Sequence, residues 1–115
     1  MVKSKLEKLS IDYSRFSCPI QKAVILIGDK WTMFIIREFI YGEEKQGFND
    51  LLRALKSISS RTLSLKLKKL EECGIVLRKE IQQRPLKVEY SITAMGKALK
   101  KPLQKMGEWF KEAGR

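Results

Sequence analysis

Apolar residues recur along most of the chain at the three- and four-residue spacing of helices, and over one stretch in the denser β-branched pattern of strands. Leu6, Leu9, Tyr13 and Phe16 predict a short amphipathic helix or arm at the N-terminus, with Lys3, Lys5 and Lys8 toward water. Cys18 precedes Pro19, a residue favoured at the first helical position, and Ala23, Val24 and Ile27 mark the buried side of a helix that Gly28 stops. Asp29 can cap the next helix, Lys30 to Tyr41, which is apolar on most sides and is therefore expected at the centre of the fold, ending at Gly42. Glu43 to Gly47 reads as a polar connection. Phe48, Leu51, Leu52 and Leu55 then predict a short helix capped by Asn49.

Lys56 to Ile58 form a tight turn, after which Ser59 caps a longer helix. In it Leu63, Leu67 and Leu70 stand at i, i+4 and i+7 before Cys73 and Gly74 end it. Ile75 to Ile81 and Leu86 to Ile92, separated by Gln82, Gln83, Arg84 and Pro85, read as a β-hairpin. Thr93 caps a last helix whose Leu99, Leu103, Met106 and Phe110 form a stripe with Trp109 beside it. Pro102, lacking an amide donor, is expected to kink that helix. The order predicts a mainly α fold with a β-hairpin wing (α+β), the layout of a winged helix-turn-helix. It forms one domain over residues 1–115, with an arm over 1–17 and a C-terminal helix over 93–115.

Charge narrows the possible partners. Lys and Arg total 24 against 13 Asp and Glu, a net of 24 − 13 = +11, and a compact chain so basic gains most from a polyanion. There is no histidine to serve as triad base, proton shuttle or metal ligand, and Cys18 and Cys73 lack CxxC spacing, so neither an enzyme of those classes nor a structural zinc is expected. No cofactor or metal is implied. The opening MVKSKLEKLS has no signal-like apolar stretch, and the longest apolar run, Ala23 to Ile27, is far short of the roughly 20 residues of a membrane span. The expected location is the cytoplasm, at the nucleoid, with no membrane partner.

On the helix opened by Ser59, the three leucines cluster on one side. Arg61, Leu65 and Lys68 lie opposite, flanked by Ser60, Thr62 and Ser64. Such an end can enter the major groove of double-stranded DNA, where Arg reads guanine and hydroxyls meet base edges or phosphates. The bland alternative is a solvated basic face. Gln83, Arg84 and Lys87, at the hairpin tip, are placed to reach the minor groove or its phosphates.

These residues resemble the HxlR-type family of winged helix-turn-helix transcriptional regulators over Ser17 to Trp109. Cys18 and Pro19 match its CP, Gly28 to Trp31 (GDKW) its G-x-K-W, and Phe48 to Leu51 (FNDL) its F-x-x-L. Ile58 and Ser59 match the IS that opens its recognition helix, Leu70 to Gly74 its LE-x-x-G, and Val88 to Thr93 (VEYSIT) its VEYSLT. The resemblance implies a homodimeric DNA-binding repressor or activator joined through its N- and C-terminal helices. It also implies that Cys18 can act as a redox sensor. Leu65 departs from the polar residue usual on the groove side, and the wing tip is more compact than in many relatives.

Cys18, as N-cap, would lie at the positive end of a helix with Arg15 and Lys22 near in sequence, a setting that favours a thiolate. The alternative is an inert packed cysteine. Cys73 is expected to be structural. Trp31 is expected in the core, and Leu6, Leu9, Leu99, Leu103, Met106, Trp109 and Phe110 in a dimer interface. The adjacent pairs Glu43–Glu44 and Glu71–Glu72 read as solvated. Two rivals share the same composition. One is a sequence-indifferent nucleoid protein on this fold, and the other is a protein-interaction module using the wing and C-terminal helix on an acidic partner. RNA is disfavoured because the hairpin lacks paired stacking aromatics.

Overall fold

The computed structural model describes residues 17–114, so Leu6 and Leu9 of the expected interface lie outside the described residues. The chain runs through α1 (Pro19–Ile27), α2 (Lys30–Tyr41), β1 (Lys45–Gly47), α3 (Phe48–Ala54), α4 (Ser60–Glu72), β2 (Val76–Gln83), β3 (Leu86–Ile92), α5 (Ala94–Lys97) and α6 (Lys100–Glu112). As the β-branched stretches on either side of the turn predict, β2 and β3 pair antiparallel. A register shift between Glu80 and Gln82 lets the ladder continue past it, so the turn shrinks to Arg84 and Pro85.

Three local expectations need correction. The connection after Gly42 contains β1, which pairs antiparallel with β3 and gives a sheet of order β1-β3-β2. Its centre, Gln46, opposite Tyr90, is buried, and its Nε2 donates to the carbonyls of Glu38 (3.2 Å) and Glu43 (3.0 Å), closing the end of α2. The cap of α3 is Gly47 and not Asn49; the Asp50 carboxylate accepts the Gly47 amide at 2.9 Å. The C-terminal segment is two helices and not one kinked helix. The chain breaks at Ala98 and Leu99, leaving Pro102 in the first turn of α6, where its missing N–H costs no hydrogen bond.

The core forms where α2, α3 and α4 meet the sheet. Ile35, Ile36 and Phe39 of α2, Leu51 of α3, and Leu63, Leu67 and Leu70 of α4 are closed from solvent, with Ile75 and Val76 beneath the hairpin. The central position expected of α2 is thus observed. Trp31 packs at the edge of this cluster, with the Lys30 ammonium 4.7 Å from its ring and Phe34 edge-on at 5.9 Å.

α4 ends in a Schellman arrangement. Gly74 takes φ +81°, its amide donates to Glu71, and the Ile75 amide reaches the Leu70 carbonyl at 2.9 Å. Thr93 draws the following elements onto this end: its hydroxyl lies 2.6 Å from the Gly74 carbonyl and 3.0 Å from that of Ile75, while accepting the Gly96 amide at 3.1 Å.

Candidate nucleic-acid interface

α3 and α4 are joined by a tight turn pinned from below by buried Leu55 and Ile58, with Lys56 in the left-handed region at φ 52°. Ser59 starts α4 as expected. Its Oγ accepts the Thr62 amide at 3.1 Å and donates to the Thr62 hydroxyl at 3.0 Å. Because Leu63, Leu67 and Leu70 are fully buried against the core, the opposite side of the helix is forced outward. Ser60, Arg61, Ser64, Leu65 and Lys68 are all exposed, Leu65 by 58%. Thr62 is half-buried and engaged in the cap, so its hydroxyl and that of Ser59 serve the helix start first.

Arg61 and Lys68 have no acidic partner among the described residues, which leaves their charges presented to solvent. At the wing, Gln83, Arg84 and Lys87 are exposed around the two-residue turn, where the Gln82 amide donates to the Arg84 carbonyl at 3.2 Å. Sequence reasoning missed how two further lysines of α4 are used. Lys66 and Lys69 turn to the flank and pair with Asp29, the N-cap of α2, at 3.1 and 3.6 Å. Asp29 and these lysines are far apart in sequence, so helix periodicity alone could not have joined them.

Cys18 is the N-cap of α1 with Pro19 next to it, and it is half-buried. Cys73 is closed from solvent at the end of α4, and burial pushes its thiol up to about 11, outweighing the nearby Lys69 ammonium. In the native protein, alkylation by iodoacetamide near neutral pH is therefore expected at Cys18, with Cys73 labelled only after denaturant is added. Peptide mapping in which Cys73 reacts as fast as Cys18 would contradict this.

Of the residues expected at a subunit contact, Leu99 and Leu103 pack on the chain's own core while staying partly accessible. Met106, Trp109 and Phe110 are 54%, 67% and 53% exposed. The last three, with Met33, Phe34 and Tyr41, line an open apolar groove of about 750 Å³ between α2 and α6. The buried side expected of α1 also needs correction: Ala23 and Val24 are exposed, as is Ile20, and Ile27 is only half-buried, because α1 lies at the edge of the core. Glu43, Glu44 and Glu72 are exposed as expected; Glu44 holds Lys97 at 2.9 Å, and Glu71 is half-buried. Among the described residues there is no acidic or thiol cluster suited to a metal ion, and no helix long and apolar enough to cross a membrane.

A turn-linked helix pair with its second helix turned outward, followed by a hairpin, defines a winged helix-turn-helix protein. Residues 26–115 match the HxlR-like helix-turn-helix family, and the chain belongs to it. It is 38% identical over 103 residues to the uncharacterized HTH-type transcriptional regulator YybR of Bacillus subtilis (strain 168), covering 90% of this chain and 81% of that protein. Among solved structures it is similar to the redox regulator HypR in its reduced form, with a TM-score of 0.73, 38% identity, and 83% and 92% of the two chains covered. It is also similar to the reduced form of the transcriptional regulator YodB from B. subtilis, with a TM-score of 0.70, 33% identity, and 82% and 91% covered.

Proposed function

We propose that this chain is a homodimeric, sequence-specific DNA-binding transcriptional regulator whose binding responds to oxidation at Cys18. The observation that carries the reading is the outward row Ser60, Arg61, Ser64, Leu65 and Lys68 on a helix braced from behind by three buried leucines. A rigid helix with an unpaired guanidinium and small hydroxyls near its start suits major-groove readout, and Leu65 offers a thymine methyl an apolar contact. Lys87 and Arg84 of the wing supply backbone contacts. The groove between α2 and α6, with Trp109 and Phe110 exposed at its rim, supports pairing with a second copy, because an apolar surface of this kind is costly to leave in water. The half-buried thiol at the start of α1, together with the likeness to HypR, supports thiol control.

Selection of duplexes from random DNA under reducing conditions tests the reading. A two-fold symmetric site is expected, with binding reduced by oxidant in the native chain and not in Cys18→Ser. Arg61→Ala should lower the preference for the selected site by about 1–3 kcal/mol, whereas Lys87→Ala should weaken selected and random duplexes alike. Equal competition by random DNA would move the assignment to a sequence-indifferent nucleoid protein. Absence of binding at low salt would favour a protein-interaction module.

A further inference from the structure

Lys66 and Lys69 stand on α4 between its buried leucines and its outward row, and both reach back to one carboxylate. Lys66 Nζ is 3.1 Å from Asp29 Oδ1 and Lys69 Nζ is 3.6 Å from Oδ2. That carboxylate is itself fixed: Oδ1 accepts the Thr32 amide at 3.0 Å, Oδ2 accepts the Thr32 hydroxyl at 2.7 Å, and Thr32 is fully buried in α2. Asp29 therefore cannot swing outward with its lysines. Partial burial works against its charge, but the two Thr32 bonds and Lys66 prevail and hold its pKa down to about 2, so it stays ionised in any buffer used for DNA binding.

We infer that Asp29 sets the selectivity of α4 by withholding Lys66 and Lys69 from DNA phosphates, a positioning role that rests on the DNA-binding reading above. A lysine on its flexible four-carbon stem contacts phosphate of any sequence, so every such contact raises affinity for random DNA as much as for an operator. Two of the cations on α4 are removed from that pool, and Arg61 and Lys68 remain on the outward face. The ratio of specific to random binding is higher for it. Asp29 touches no DNA in this scheme; it acts through the lysines.

The experiment is a salt titration of binding to a selected duplex and to a random duplex. It compares the native chain with Lys66→Gln/Lys69→Gln and with Asp29→Asn. The double variant should keep the native salt slope on random DNA, because the lysines it removes were not spent on phosphates. Asp29→Asn should steepen that slope by up to about 2, near 0.9 per lysine released, and narrow the specific-to-random ratio. A double variant whose slope falls by about 2 overturns the inference, since the lysines would already be on phosphates. So does an Asp29→Asn protein that binds both duplexes more weakly without a steeper slope, the behaviour of a damaged scaffold. Should Asp29→Asn fail to fold, the double variant decides alone. A native chain that binds no duplex removes the DNA-binding reading and this inference with it. A native chain that binds, paired with a shifted double variant, removes this inference only.

Discussion

Replacing Phe39 by Ala is expected to lower the stability of the domain by about 3–5 kcal/mol, the range for truncating a large aromatic in a closed core. Phe39 has no solvent exposure and packs in the cluster formed by Ile35 and Ile36 of its own helix with Leu51, Leu63, Leu67 and Leu70. The loss has two parts: the transfer free energy of the ring, and the void that helices held by caps on both sides cannot fill. Asp29 fixes the start of α2 and Gln46 its end, so collapse around the missing ring is restrained. Small domains hold only about 5–15 kcal/mol in all, and each kcal/mol lowers the melting temperature of a chain this size by about 4 °C. Urea titration of the variant against the native chain gives the number directly. A change below about 1 kcal/mol would show that the core tolerates a cavity at this position.

The second large effect is expected at Gly96, where Ala should destabilise by about 1–3 kcal/mol although Ala is the better helix former. A methyl there would lie 2.5 Å from the Ile75 carbonyl oxygen and 2.6 Å from Ile92 Cγ1. Ile92 can shift its side chain, but the Ile75 carbonyl cannot retreat, because it accepts the Thr93 amide and lies 3.0 Å from the Thr93 hydroxyl. Accommodation must separate α5 from the start of β2. Thermal unfolding of Gly96→Ala measures the cost, and an unchanged or raised melting temperature would mean that this close approach is not maintained in solution.

Much of the fold, and the outward placement of the candidate interface residues, was legible because local rules and tertiary packing agree. Asp29 and Ser59 announce the starts of α2 and α4 by capping chemistry, and the spacing of Leu63, Leu67 and Leu70 forces Arg61, Leu65 and Lys68 outward before any partner is considered. Legibility failed where a longer-range partner decides the outcome. β1 has three residues, Lys45, Gln46 and Gly47, with no β-branched side chain among them, and it is a strand only because β3 lies beside it. Asn49 has the chemistry of a cap, yet the chain is already extended along β3 at Gly47, so the helix begins two residues earlier. Pro102 fits a first turn as well as a kink, and the break at Ala98 and Leu99 chooses between them. The ion pairs of Lys66 and Lys69 depend on how α2 and α4 cross, which periodicity within either helix does not encode.

The junction at Thr93 bears on where this chain can bend. One hydroxyl ties the end of α4, the entrance to β2 and the start of α5, and Gly96 lies hard against the same carbonyl. A hinge cannot operate at so heavily pinned a point without breaking several hydrogen bonds at once. Thr93, the end of α4 and the start of α5 are therefore held as one piece, and the break at Ala98 and Leu99 is the nearest C-terminal point at which α6 can turn against them.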